Sequence, residues 1–288
     1  MTNKPLFLIC NDDGVHAPGI KALAAAAGHF GDVVVVAPHE ERSGFSQAIT
    51  LTSPLRIDPI DERTFGVTGT PADCVILGFN KILSRRPDFV LSGINRGSNV
   101  GQDTLYSGTV AAAMEGLMQG APGIAFSLDR RRAFELKDYQ HASKVVHLVL
   151  EHLLSGKGWP QATDQVNQKT QQYQAHQQAE DPPVLPPKGI LNFNIPDRSF
   201  EAIKGFKAAK LGRRIYDKQV VEQIDPRGRP YYWIGGGGED IEDIPDTDCK
   251  YLQEGYVTLT ALGPDHLDLV GQQRLNSIAT QLDAKKRL

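Results

Sequence analysis

The N-terminal 36 residues constrain the fold most, because they carry the patterns of a strand, a helix and a second strand in direct succession. Leu6 to Cys10 is a short, unbroken apolar run between Pro5 and Asn11, the pattern of a strand covered on both faces. Ile20, Leu23, Ala24, Ala27 and Phe30 then recur at helical spacing, with Pro18 near the first turn. Val33 to Val36 is β-branched throughout and reads as a second buried strand. This order demands a parallel sheet with a right-handed crossover. In such sheets the ligand crevice lies beyond the carboxyl ends of the strands. Asn11-Asp12-Asp13-Gly14 stands at the first of those ends. Two adjacent carboxylates repel each other unless a cation lies between them or one keeps its proton.

Composition narrows the function classes. With 288 residues the chain can form one large or two modest domains. A net charge of −3 without a basic stripe argues against a nucleic-acid duplex or an anionic membrane as partner. No run approaches the roughly 18 apolar residues of a membrane span. The apolar run after Lys4 is too short for a signal peptide, so a cytoplasmic location is expected. Cys10, Cys74 and Cys249 are far apart and lack zinc or disulfide spacing; they are expected as buried, reduced thiols.

Further along, buried strands are expected at Asp88–Ser92, Gly123–Ser127 and Gly189–Pro196, and short strands at Leu55–Ile57 and Thr64–Thr68. Helices are expected from Thr70 to about Leu83, from Ser107 to Met118 and over 138–154. Residues 156–187 form a Gln/Pro-rich insertion, with eight Gln between Gln161 and Gln178, too poor in apolar residues to offset ordering. Strand-like runs at 215–224 and 229–234 flank Asp225-Pro226-Arg227-Gly228 and predict a β-hairpin arm. Gly235 to Gly238 reads as a hinge, because Glu239 and Asp240 would repel a phosphate. The expected division is a catalytic core over 1–202, an arm and returning strand over 203–262, and a C-terminal helix over 263–288.

Three loops leave strand ends, at 11–16, 38–46 and 93–109, and each carries hard oxygen ligands. Asp12 and Asp13 offer carboxylates, Ser43 a hydroxyl and Asn95 an amide carbonyl. Such an oxygen-only set suits Mg²⁺ or Mn²⁺, not zinc. Ser107-Gly108-Thr109 opens a helix, where free N–H groups and the positive dipole end favour a phosphate. A cation facing a phosphate cradle describes phosphoryl transfer or phosphate-ester hydrolysis. An aspartyl-phosphate enzyme would need a carboxylate at Asn11, two residues before Asp13. A receiver module would need a phosphoacceptor such as Asp58 and a later Lys, and the later loops hold Ser-Gly-Ile-Asn and Ser-Gly-Thr instead. Phe45 and Tyr106 suit either base stacking or an interface.

These motifs together resemble the SurE family of metal-dependent nucleotidases. The resemblance rests on Asn11-Asp12-Asp13-Gly14, Ala17-x-Gly19-Ile20, Ala37-Pro38, Ser43-Gly44, and Ser92-Gly93-Ile94-Asn95-x-Gly97-x-Asn99. It continues through Tyr106-Ser107-Gly108-Thr109 to Gly116, Leu191–Pro196, Thr247-Asp248 and Gly255-Tyr256-Val257. It implies a Rossmann-like three-layer α/β core with a mainly parallel sheet, and a C-terminal β-hairpin arm exchanged in a homodimer or homotetramer. It implies hydrolysis of nucleoside 5′- and 3′-monophosphates, extending to short-chain polyphosphate, with one divalent metal ion per subunit. By position, the family's metal ligands fall on Asp12, Asp13, Ser43 and Asn95, with Asp12 and Asp13 also catalytic. Its phosphate contacts fall on Asn99, Ser107, Gly108 and Thr109.

Overall fold

The computed structural model describes residues 4–130, 132–155, 189–216, 219–235 and 240–264. The Gln/Pro-rich insertion, the Gly236–Gly238 part of the hinge and the C-terminal helix call lie outside the described residues.

The N-terminal β-α-β unit forms as its pattern demands. Strand β1 (Leu6–Cys10) leads through helix α1 (Pro18–Gly28) to β2 (Asp32–Pro38), and β1 and β2 pair in parallel. After β3 (Ile57–Pro59) and β4 (Thr64–Val67) come α2 (Pro71–Leu77), β5 (Phe89–Arg96), α3 (Gly108–Met118) and β6 (Gly123–Leu128). Helix α4 (Gln140–Ser155) and strand β7 (Ile190–Ile195) complete the core. The remainder comprises β8 (Phe206–Ala208), β9 (Arg214–Ile215), the pair β10 (Gln219–Ile224) and β11 (Pro230–Gly235), β12 (Asp240–Ile241), α5 (Asp248–Glu254) and β13 (Val257–Leu262).

Nine strands form one sheet in the order β3-β4-β2-β1-β5-β6-β7-β13-β8. The strands from β4 to β7 in that order are all parallel, while β3 and β13 pair antiparallel to β4 and β7. Side-chain alternation divides β1 between two cores. Phe7 and Ile9 pack with Ile20 and Leu23 of α1 and Val145 and Val146 of α4. Leu8 and Cys10 pack on the other face with Cys74 and Val75 of α2 and Ala112 of α3. This is the three-layer arrangement, with helices on both faces. The three cysteines are buried and free.

The chain departs from its local patterns in three places, the first being the strand expected at Leu55–Ile57, which lies instead at Ile57–Pro59. The helix after Thr70 is α-helical only to Leu77 and continues as a wider π turn from Gly78 to Ile82. Strand β5 does not end at Ser92 but runs on to Arg96, with a register shift between Ser92 and Asn95. Such an irregularity re-aims the residues beyond it, and here those residues are Asn95 and Arg96. The arm forms as its turn cluster implied, with Val220–Ile224 facing Pro230–Ile234 across a hairpin.

Candidate active site

Strand order reverses at β1, whose neighbours β2 and β5 lead to opposite halves of the sheet. The crevice between the carboxyl ends of β1 and β5 is therefore the topological switch point. Asp12 and Asp13 enter it from a turn that Gly14 closes at φ +100, a conformation costly for any residue with a Cβ. Asn11 is fully buried and donates its amide to the Gly14 carbonyl (3.0 Å). It braces this turn, and it is no nucleophile.

Asp12 is 3 % exposed and lies against the N-terminus of α3. Thr109 donates its hydroxyl to Asp12 Oδ1 at 2.5 Å. Burial pushes the Asp12 carboxyl above the usual carboxylate range, while Thr109 and the backbone of Asp12, Thr109 and Gly108 oppose that shift. The close approach requires glycine at 108, since a Cβ there would stand 2.7 Å from Asp12 Cβ. The side chain of Asp13 is 7 % exposed. Its carboxyl is pushed up to about 6 by burial and then by the Asp12 charge, against the N–H and guanidinium of Arg96. Arg96 donates its N–H to Asp13 Oδ2 (3.0 Å), places Nε 3.9 Å from Oδ1, and pairs with Glu41 at 3.0 Å. Asn95 donates its amide to Gly97 O (2.8 Å), which leaves its carbonyl oxygen as acceptor.

On the anion side, Ser107 caps α3 by accepting the Val110 N–H (3.1 Å). That bond uses a lone pair and leaves its O–H able to donate, so cap and phosphate contact are compatible. Thr109 differs. Its hydroxyl proton is committed to Asp12, and its backbone N–H is directed at the same carboxyl. Asn99 is buried, with its side-chain amide on Ser127 Oγ (2.8 Å).

Direct contacts thus join Asp12, Asp13, Gly108 and Thr109, with Asn95 beside Arg96 and Ser107 opening the same helix. Ser43 sits on the exposed rim, its hydroxyl turned to Glu41 Oε1 (3.0 Å). It follows Arg42, whose N–H reaches the Asp12 carbonyl (2.7 Å). Ser46 bonds to the backbone of Leu105 and Tyr106, so the rim loop is pinned beside the cradle. Asp58 lies on strand β3, at one edge of the sheet, paired with His39 at 2.7 Å. Arg96 escaped the reading of the sequence, because only the irregular end of β5 brings it to Asp13.

The residues present fit a hard divalent cation. Among the described residues no three His, Cys, Asp or Glu gather as a cluster, so a cation here would rest on two carboxylates and neutral oxygens. Two adjacent buried carboxylates, both pushed upward, are an unbalanced charge that such a cation relieves.

Fold and site define a Rossmann-like α/β protein whose switch-point crevice holds two adjacent buried carboxylates, one of them against a helix N-terminus. Comparison with known proteins identifies which one. The family profile described as "Survival protein SurE" matches residues 7–218. A "5'-nucleotidase SurE" of Syntrophotalea carbinolica is 42% identical over 92% of both chains. A "5'/3'-nucleotidase SurE" of Citrobacter koseri is 41% identical over 96% of both. The crystal structure of the SurE protein from Aquifex aeolicus superposes with a TM-score of 0.74 at 37% identity, covering 96% of this chain and all of that one. The chain belongs to the SurE family.

Proposed function

We propose that this chain is a divalent-metal-dependent phosphomonoesterase that hydrolyses nucleoside 5′- and 3′-monophosphates to nucleoside and phosphate. The names of its relatives support the reaction. The observation that carries it is the placement of Asp12 against the N-terminus of α3, with Gly108 permitting van der Waals approach and Asp13 beside it on Arg96. A buried carboxylate beside the positive end of a helix suits a site that takes a divalent cation together with a phosphate.

Asp12, Asp13, the Asn95 carbonyl and the Ser43 hydroxyl would hold one Mg²⁺ or Mn²⁺ per subunit. When bound, that ion neutralises phosphate charge and makes water a stronger nucleophile. Asp13, flanked by Arg96, orients the attacking water and takes its proton. Asp12, held by Thr109, stays fixed as a ligand. The Ser107 hydroxyl, the Asn99 amide and the positive end of α3 at Gly108 and Thr109 face the phosphoryl oxygens and stabilise charge as the P–O bond breaks. Activity on short-chain polyphosphate follows from the same contacts, which involve phosphate alone.

The arm supports a homodimer or homotetramer and the division at 203–262. Val220, Val221, Ile224, Tyr232, Trp233 and Ile234 are all exposed, distributed over the two faces of the β10–β11 hairpin, apolar surface that association with a second copy would cover. Among the described residues no helix is long and apolar enough to cross a membrane.

A panel of nucleoside monophosphates, sugar phosphates and polyphosphate, assayed with and without Mg²⁺ or Mn²⁺, tests the proposal. Metal-dependent phosphate release from the nucleotides, lost in Asp12→Asn, is expected. Equal turnover after chelation, or turnover retained in Asp12→Asn, overturns it.

A further inference from the structure

Strand β7 carries two asparagines in an otherwise apolar run, Ile190-Leu191-Asn192-Phe193-Asn194-Ile195. At alternate positions they share one face, while Phe193 and Ile195 fill the core on the other. Both are 0 % exposed. Burying an amide is costly unless its hydrogen bonds are made; the bonds these amides make go to a single residue, and Asn192 Oδ1 has no partner in the protein. Asn194 Oδ1 accepts the Asn99 N–H at 2.7 Å, and Asn194 Nδ2 donates to the Asn99 carbonyl at 3.0 Å. Asn192 Nδ2 donates to the same carbonyl at 2.9 Å. One side chain thereby grips both peptide groups of Asn99, as a neighbouring strand would. The Asn99 side chain is then tied to Ser127 of β6, the residue registered beside Asn194.

We propose that Asn194, assisted by Asn192, is a positioning residue that sets Asn99 against the substrate phosphate. Main-chain bonds to β7 and a side-chain bond to β6 fix Asn99 on a rigid sheet, although it stands on a loop. The remaining amide N–H and Oδ1 of Asn99 are then presented in one orientation. The proposal rests on the reading of Asn99 as a phosphate contact.

The test uses the full chain with saturating Mn²⁺, reading the inhibition constant of inorganic phosphate together with kcat and KM for a nucleoside monophosphate. Asn99→Ala comes first, and a weaker phosphate inhibition is expected. Asn194→Ala is expected to weaken it about tenfold, and Asn192→Ala about threefold, because Asn194 still holds the carbonyl. In the Asn99→Ala background, Asn194→Ala should add less than twofold, the non-additivity of residues acting through one another. Thr258→Val is the control. It lies on β13 directly opposite Asn194, is fully buried, and its hydroxyl has no partner in the protein. It should leave inhibition and kinetics unchanged. If Asn194→Ala fails to fold, Asn192→Ala and its double variant with Asn99→Ala carry the same comparison. Unchanged inhibition in Asn99→Ala defeats the phosphate-site reading and the proposal with it. A shift in Asn99→Ala with none in Asn194→Ala or Asn192→Ala, or fully additive effects, defeats the positioning role alone.

Discussion

Replacing Asp13 by Asn is expected to stabilise the metal-free protein while abolishing metal-dependent hydrolysis. The Asp13 carboxyl titrates at about 6 in the folded chain, against 3.8 when unperturbed, because it is buried beside Asp12. An acid whose folded pKa is raised holds its proton more tightly folded than unfolded. Folding is then unpenalised below the unfolded value, and stability is lost as pH rises towards the folded one. The span from 3.8 to about 6 corresponds to about 3 kcal/mol above pH 6, at about 1.4 kcal/mol per pH unit. At pH 5 roughly half of that applies. Asn keeps an oxygen for the Arg96 N–H and carries no charge. The assay is urea unfolding of EDTA-treated parent and Asp13→Asn at about pH 7.5 and 5. The variant should gain about 3 kcal/mol at the higher pH and about half at the lower. Added Mn²⁺ should raise the midpoint of the parent by mass action and leave the variant unmoved. A variant less stable at both pH values, or an equal gain at both, would refute the account of Asp13 as a carboxylate penalised by burial and by the Asp12 charge.

Gly108→Ala should lower stability by about 1–3 kcal/mol through overpacking, since its Cβ would meet Asp12 Cβ at 2.7 Å and Pro71 Cγ at 3.0 Å. Thermal melts and kcat/KM check this, and an unperturbed, fully active variant refutes the close approach. Thr109→Val removes the 2.5 Å donor to Asp12 and should weaken Mn²⁺ affinity about tenfold, with Thr109→Ser restoring it; calorimetric titration decides. Replacing 219–235 by a short turn should leave the nine-stranded sheet folded and reduce the mass of the assembly by light scattering. An unchanged assembly would remove the role assigned to the arm.

Much of the fold is legible from pattern alone, because burial on both faces requires continuous apolar runs. Leu6–Cys10, Val33–Val36 and Gly123–Ser127 announce themselves this way. The hairpin is legible because Asp225-Pro226-Arg227-Gly228 can do little but turn. The extension of β5 was not legible. Gly93-Ile94-Asn95-Arg96 has the composition of a loop, and only pairing with β6 carries the strand through it. Thr109 illustrates the same limit within the site. Its residue type is right for a phosphate donor, yet contact with Asp12 takes its proton.

By itself the sequence determined the chemistry on offer: two adjacent carboxylates at a strand end, neutral oxygens on two further loops, and a Ser-Gly-Thr helix start. These follow from residue identity and local spacing, which no later packing alters. Tertiary structure alone decided which of them meet. The reversal of strand order at β1 sets the Asp pair beside β5, and a glycine brings α3 into contact with Asp12. Burial raises both carboxyls. Two asparagines on β7 reach across 95 and 93 positions of sequence to hold Asn99. Long-range contacts, desolvation and proton allocation depend on distances in space, and the order of residues along the chain does not contain them.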